Sequence, residues 1–294
     1  MPYMKQLVIL SGKGGTGKTT LASSFIKLSD CKAFADCDVE APNLDTVFAS
    51  GGAVEKKPYF GLKKAVKHDG LCIGCGKCES LCRFGAIEDG KVNPYKCEGC
   101  GVCERFCPAK DEKGQKAIRL EDRISGETEL YNSKGHIFST AKLDIGSGAS
   151  GRLVSEVRAN LYSASGNAEF VIIDGSPGIG CPVIASITGV TMALIVAEPT
   201  VSGIHDMKRI VAAVRRFGAK IAVCVNKFDV SKTNTEKILE YCKSEDIPAV
   251  GLIPYDGTVI KAVNEGKTIA DYDGSPACDA IKDVWEKVRK MFLA

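Results

Sequence analysis

Two clusters in the sequence combine reactive side chains with regular intervals. The first is Gly12-Lys13-Gly14-Gly15-Thr16-Gly17-Lys18-Thr19, followed by Thr20, which fits G-x-x-x-x-G-K-[ST]. Glycines at this spacing let successive backbone N–H groups curl around phosphate oxygens, and a helix N-terminus behind them adds positive potential. Lys18 is placed to pair with the β- and γ-phosphates, and Thr19 to offer its hydroxyl to Mg²⁺. The second group is eight of the fourteen cysteines: Cys72, Cys75, Cys78 and Cys82 recur as Cys97, Cys100, Cys103 and Cys107, each shifted by 25 residues. Thiolates at C-x₂-C-x₂-C-x₃-C spacing, duplicated and without a histidine, point to two [4Fe-4S] clusters.

The bulk properties narrow the function classes. The chain has 294 residues, enough for one large α/β domain and a small module. The formal net charge is +3 and Lys and Arg form no long run, so nucleic acid is not an expected partner. Met1 to Lys5 leads into a short apolar run that ends in glycines, so no signal peptide is expected. No apolar stretch reaches the roughly 18 residues of a transmembrane segment. Fourteen cysteines without a secretory signal argue for a cytoplasmic protein with reduced thiols serving as metal ligands.

These groups need elements to hold them. Lys5–Leu10 is a short apolar run ending at the glycine loop, which predicts a buried parallel strand followed by a helix over about 18–28. Further buried strands are expected at Cys31–Cys37, Phe170–Ile173, Met192–Ala197, Lys220–Val225 and Ala249–Ile253. Helical patterns lie near 152–163, 204–217, 234–243 and 257–264, with a terminal helix after Pro276. This alternation predicts an α/β fold with a doubly wound, mostly parallel sheet. Residues 55–124 break the rhythm, being rich in Cys and Gly and internally repeated. They predict an inserted α+β module, with 1–54 and 125–294 forming the main domain. Residues 125–142 read as two strands around a turn at Asn132–Gly135. Ile281, Val284, Trp285, Val288 and Phe292 have helical spacing. Asp283 and Glu286 on the polar face favour a closing helix docked on the sheet over a membrane-binding tail.

Lys13, a second lysine within K-G-G-T-G-K-T, makes the loop resemble the deviant Walker A motif of the MinD/ParA group, which includes the nitrogenase iron protein. The resemblance implies a P-loop NTPase fold in which this lysine reaches across a homodimer to the other subunit's nucleotide, so that ATP binding and dimerisation are one event. The stretch from Asp36 to Asp45 resembles the family's first switch; there Asp38 orients the attacking water and Asp36 lies near the Mg²⁺ shell. Phe170 to Gly178 resembles the Walker B strand and second switch, with Asp174 holding Mg²⁺ through water. Asn226-Lys227-Phe228-Asp229 matches the N-K-x-D pattern by which GTPases read guanine. In the MinD-like group the asparagine contacts adenine instead, and an I-P-x-D segment, here Ile253-Pro254-Tyr255-Asp256, packs beside the base; both pieces being present favours ATP. Cys181 stands where the nitrogenase iron protein has a cluster ligand, but Ala149 replaces the second ligand, which argues against a bridging cluster.

The cysteine runs, with Pro108 after the last, resemble bacterial two-cluster ferredoxins. That resemblance implies crossed ligation: Cys72, Cys75, Cys78 and Cys107 around one cube, Cys97, Cys100, Cys103 and Cys82 around the other. Arg83 replaces the usual proline after the first run. Together the two resemblances imply a Mg²⁺-dependent ATPase, with Lys13, Lys18 and Asp38 catalytic. Its nucleotide-dependent homodimer would be coupled to electron delivery, or to iron–sulfur or metallocofactor assembly, for a client protein. The alternative is a MinD- or ParA-like positioning ATPase whose clusters are structural.

Overall fold

A sheet covered on both faces needs strands that are apolar on both sides, and the central strands here are continuous apolar runs. The computed structural model describes residues 4–48, 53–133, 135–166 and 168–294. The chain opens with β1 (Lys5–Ser11), α1 (Lys18–Leu28), β2 (Ala33–Asp36), α2 (Asp45–Phe48) and β3 (Ala53–Phe60). The cysteine-rich stretch follows with β4 (Lys64–Lys67), α3 (Lys77–Ser80), β5 (Ile87–Glu88), β6 (Lys91–Val92), α4 (Val102–Phe106) and β7 (Ile118–Glu121). Next come β8 (Ile124–Ser133), β9 (His136–Leu143), α5 (Ser150–Ala164), β10 (Phe170–Asp174), α6 (Cys181–Ile187) and β11 (Met192–Ala197). The chain closes with α7 (Val201–Arg215), β12 (Lys220–Asn226), α8 (Lys232–Ser244), β13 (Ala249–Ile253), α9 (Thr258–Asn264) and α10 (Pro276–Leu293).

The main sheet has the order β13-β12-β11-β1-β10-β2-β9-β8-β3. From β13 to β9 all neighbouring pairs are parallel. Each strand expected from an apolar run is present, and β8 and β9 extend the sheet as the two strands read from 125–142. Lys134, inside their expected turn, lies outside the described residues. β1, β10 and β11 are almost wholly buried.

The chain divides into two compact units. One comprises Met1–Lys56, Thr128–Lys142 and Ser150–Ala294, the other Lys57–Glu127 and Leu143–Ala149. The sequence boundary at 55–124 misses the second piece of the small unit. Leu143–Ala149 returns to that unit because the Asp144 N–H donates to the Ser125 carbonyl at 2.9 Å and the Tyr59 hydroxyl to the Ala149 carbonyl at 3.1 Å.

The terminal helix α10 starts with Ser275 as N-cap, its Oγ accepting from the Cys278 N–H, and Pro276 in the first turn. Ile281, Val284, Trp285, Val288 and Phe292 are buried in the main core. Trp285 lies 4.9 Å from Phe25 of α1 between ring centroids, and Phe292 lies 5.8 Å from Phe170. Gly251 of β13 makes room for the helix, since an added Cβ would come within 2.4 Å of Val284. The apolar stripe is thus spent on the core. Among the described residues no helix is long and apolar enough to cross a membrane.

Candidate functional site

The carboxyl ends of β1, β2 and β10 lie side by side, and the loops after β1 and β2, with α1 and α9, line a cleft of about 650 Å³. That is within the range of small-ligand sites. Gly12 to Gly17 connect β1 to α1, and Lys18 is the first residue of the helix. Gly15 and Gly17 have φ of 76° and 94°, values that only glycine adopts without strain. Gly12 packs so tightly on α7 that a Cβ would meet that of Asp206 at 2.2 Å. The Thr16 and Ser11 hydroxyls both donate to the Lys13 carbonyl, at 2.8 and 2.9 Å. Gly14, Gly15, Gly17, Lys18, Thr19 and Thr20 line the cleft.

Lys18, 5% exposed, donates to Asp174 Oδ1 at 2.6 Å; Thr19 Oγ1 donates to Asp174 Oδ2 at 2.7 Å. Asp38 Oδ2 lies 3.9 Å from the same ammonium. Burial alone would lower the Lys18 pKa, but Asp174, Asp36 and Asp38 together hold it above the usual lysine range. Burial raises Asp38, against the pull of Lys18. A threonine hydroxyl and a carboxylate side by side form a hard oxygen pair of the kind Mg²⁺ takes while keeping most of its waters.

Asp36, expected near the metal shell, pairs in register with Asp174 on the neighbouring strand and also ties down a loop. It is fully buried, its Oδ1 accepts from the Asp38 N–H at 2.9 Å, and its Oδ2 accepts from Asn43 and Leu44 at 2.9 and 3.0 Å. Asp36 therefore staples the loop that carries Asp38. Burial first, then the Asp174 carboxylate, pushes it up to about 7 against Lys18 and these N–H groups. The loop after β10 is tied in as well: Ser176 Oγ donates to the Cys37 carbonyl, and the Gly178 N–H to the Ser11 carbonyl at 2.9 Å.

Lys13 is held by a residue that the sequence reading missed. Glu198, at the end of β11, takes Lys13 at 2.9 Å and Lys227 at 3.1 Å. Burial raises the Glu198 pKa, but these two lysines outweigh it and set it below the usual range. The available signal was Ala197-Glu198-Pro199: a carboxylate at the carboxyl end of the strand next to β1. Asn226 donates to the Thr16 carbonyl at 2.8 Å, so it braces the phosphate loop, and neither it nor Pro254 lines the cleft. Val259, Ala262 and Val263 of α9 line it instead, with Val47 and Ile269.

The small unit has a modest core of Ala65, Ala86, Ile87, Cys97 and Ile118. It holds two small hollows, each of about 20 Å³. Cys72, Cys75, Cys78 and Cys107 line one; Cys82, Cys97, Cys100 and Cys103 line the other. Burial, then the nearby Cys72 and Cys107 thiols, raises Cys78, while burial with Cys97 and Cys100 pushes Cys103 up to about 11. Backbone N–H groups of Gly74, Ala86 and Ala65 donate to the sulfurs of Cys72, Cys82 and Cys97 at 3.4 to 3.5 Å. Gly74, Gly76, Gly99 and Gly101 all have φ between 62° and 76°, and they bend each C-x₂-C-x₂-C run around its hollow. Among the described residues no three His, Cys, Asp or Glu converge on one point as ligands of a single metal ion.

A strand–glycine loop–helix unit at the carboxyl edge of a parallel sheet, with its lysine on the aspartate of the neighbouring strand, defines a P-loop nucleotide-binding protein. Residues 7–269 match the CobQ/CobB/MinD/ParA nucleotide binding domain, and the chain belongs to that family. It is 31% identical to the uncharacterized protein MJ0578 of Methanocaldococcus jannaschii, over 97% of this chain and 96% of the relative. It is 26% identical to the uncharacterized ATP-binding protein MJ0547 of the same organism, over 96% and 86%. In fold it is similar to the septum site-determining protein MinD of Pyrococcus horikoshii, solved with Mg-ADP. The TM-score is 0.59 at 18% identity, over 98% of this chain and 97% of that one.

Proposed function

We propose that the protein is a Mg²⁺-dependent ATPase whose nucleotide-bound form is a homodimer, working as a switch on a partner in the manner of MinD and ParA. The carrying observation is the buried Lys18–Asp174–Thr19 cluster beside the cleft, with Lys13 in the same loop. Family membership supports this reading above the others, and the Mg-ADP of the similar MinD supports the nucleotide class. Thr19 and Asp174 would hold Mg²⁺, which would neutralise phosphate charge. Lys18 leaves Asp174 for the terminal phosphates, Lys13 leaves Glu198 for the other subunit's nucleotide, and both stabilise charge on the transferring phosphoryl group. Asp38 orients the attacking water. Asp36 and the Ser176–Cys37 bond transmit a change in either switch loop to the other. Asn226 and Pro254 remain proposed as base neighbours, reached once the loop rearranges; ATP is the proposed substrate.

The test is ATP hydrolysis and light scattering with ATP, ADP and GTP, on the wild type and Lys18→Ala. Co-sedimentation with liposomes or DNA, with and without ATP, probes the positioning role. A wild type that neither hydrolyses ATP nor changes its mass on binding it would end this reading.

The two four-cysteine hollows favour a second reading, in which the switch serves redox or cluster chemistry for a client protein. The small unit's core is short of large apolar side chains, a situation proteins meet with metal staples. Two [4Fe-4S] clusters held by the crossed sets would supply one-electron transfer. Anaerobic iron and sulfide counts near about eight of each per chain would support this reading, and their absence would remove it without touching the ATPase.

A further inference from the structure

The start of β4 puts a positive charge into the small unit's core. Lys64 is 5% exposed, and its Nζ donates to the Cys97 carbonyl at 2.6 Å. The next residue, Ala65, gives its N–H to the Cys97 sulfur at 3.4 Å and lines the same hollow. The turn packs closely here: an added Cβ on Gly99 would meet the Lys63 carbonyl at 2.3 Å. No carboxylate pairs with Lys64 among the described residues. A buried ammonium with one neutral carbonyl for a partner is costly unless negative charge stands near it. The groups lining this hollow that carry or can take negative charge are the Glu98 carboxylate and the four thiols, Cys97 among them.

The other hollow is served differently. Lys116 donates to the Cys107 carbonyl at 2.6 Å but is only half-buried. Lys67 lines that hollow, yet it is paired with Asp69 at 2.9 Å. The two sites thus share a lysine-to-cysteine-carbonyl bond and differ in how far water screens it.

We propose that Lys64 tunes the reduction potential of the cluster held by Cys82, Cys97, Cys100 and Cys103, keeping it above the value the thiolates alone would set. The proposal rests on the cluster reading given above. A cube with its four thiolates is doubly negative when oxidised and triply negative after gaining one electron. A fixed, buried cation therefore stabilises the reduced form more than the oxidised one. Lys64 acts through Cys97 and its field, touching no electron donor.

The full-length protein is loaded anaerobically with iron and sulfide, counted, and titrated with dithionite while electron paramagnetic resonance follows each cluster. Lys64→Gln keeps a hydrogen-bonding side chain without the charge; Lys64→Arg keeps the charge. With both cubes loaded, Lys64→Gln is expected to shift one of the two midpoints to lower potential and leave the other, whereas Lys64→Arg stays near wild type. Unchanged midpoints in a fully loaded Lys64→Gln overturn the tuning role and leave the clusters standing. A wild type that takes up no iron fails the cluster reading itself. Should Lys64→Gln lose half its iron, full loading of Lys64→Arg upholds a role for the charge, and loss in both variants overturns it.

Discussion

Lys13 Nζ and Glu198 Oε2 lie 2.9 Å apart, and the other oxygen of Glu198 holds Lys227 at 3.1 Å. The lysine that the proposed dimer needs on its far side is thus held within its own subunit. Lys13 is 40% exposed and Glu198 17%, so solvent weakens the pair to about 1 kcal/mol or less. Glu198→Gln is expected to lower the ATP concentration for half-maximal dimerisation, by up to about 5-fold. Light scattering over an ATP series reads this out, and the advantage should shrink in high salt. An unchanged midpoint at low salt would mean that Glu198 does not restrain Lys13.

Lys18 and Asp174 are both buried, so removing one partner strands the other. Lys18→Ala is expected to cut ATP hydrolysis by at least about 100-fold. It is also expected to destabilise the main unit by about 3 kcal/mol, because the Asp174 carboxylate stays buried without its cation. Adding Asp174→Asn to Lys18→Ala should restore part of that stability while hydrolysis stays lost. If the double variant is no more stable than the single one in urea titrations followed at Trp285, the buried pair is not the cause.

Asp36 makes the stability of the metal-free main unit depend on pH. Its carboxyl, lifted to about 7 by burial and by Asp174, binds a proton in the folded state that the unfolded chain has already lost. Its contribution is full below about pH 4 and is lost as pH rises through about 7. The slope between those limits is at most about 1.4 kcal/mol per pH unit. Asp36→Asn should flatten it; equal slopes in both proteins would refute the assignment.

If the cysteine hollows hold the proposed clusters, metal removal should act on one unit. With the small core of Ala65, Ala86, Ile87 and Ile118, the stretch 57–127 is expected to lose most of its amide protection when iron is stripped anaerobically. β1, β10 and β11 should keep theirs, since their burial owes nothing to the cysteines. Loss of protection across both units, or in neither, would contradict this picture.

Local information sufficed for much of the molecule. The apolar runs at 5–10, 170–173, 192–197, 220–225 and 249–253 each became a parallel strand, since a run apolar on both faces has one stable place in such a fold. The glycine loop was legible too, because its chemistry depends on spacing along a few residues; the cysteine spacing was equally plain, and the metal it would hold is a proposal. The regular stripe on α10 announced a docked helix, and Trp285 and Phe292 are buried in the core. Other features needed the third dimension. Glu198 meets Lys13 only because β11 pairs with β1, across a sequence gap that carries no periodic signal. Asp36 looks like one more switch aspartate until its three backbone donors and full burial show it as the staple of the loop. The return of 143–149 to the small unit, and the burial of Lys64 beneath Cys97, are likewise invisible to composition. Residue type and short-range spacing were enough to mark which groups could do chemistry. The tertiary structure alone decided which charges they answer to, because burial and partnership between distant segments are properties of packing.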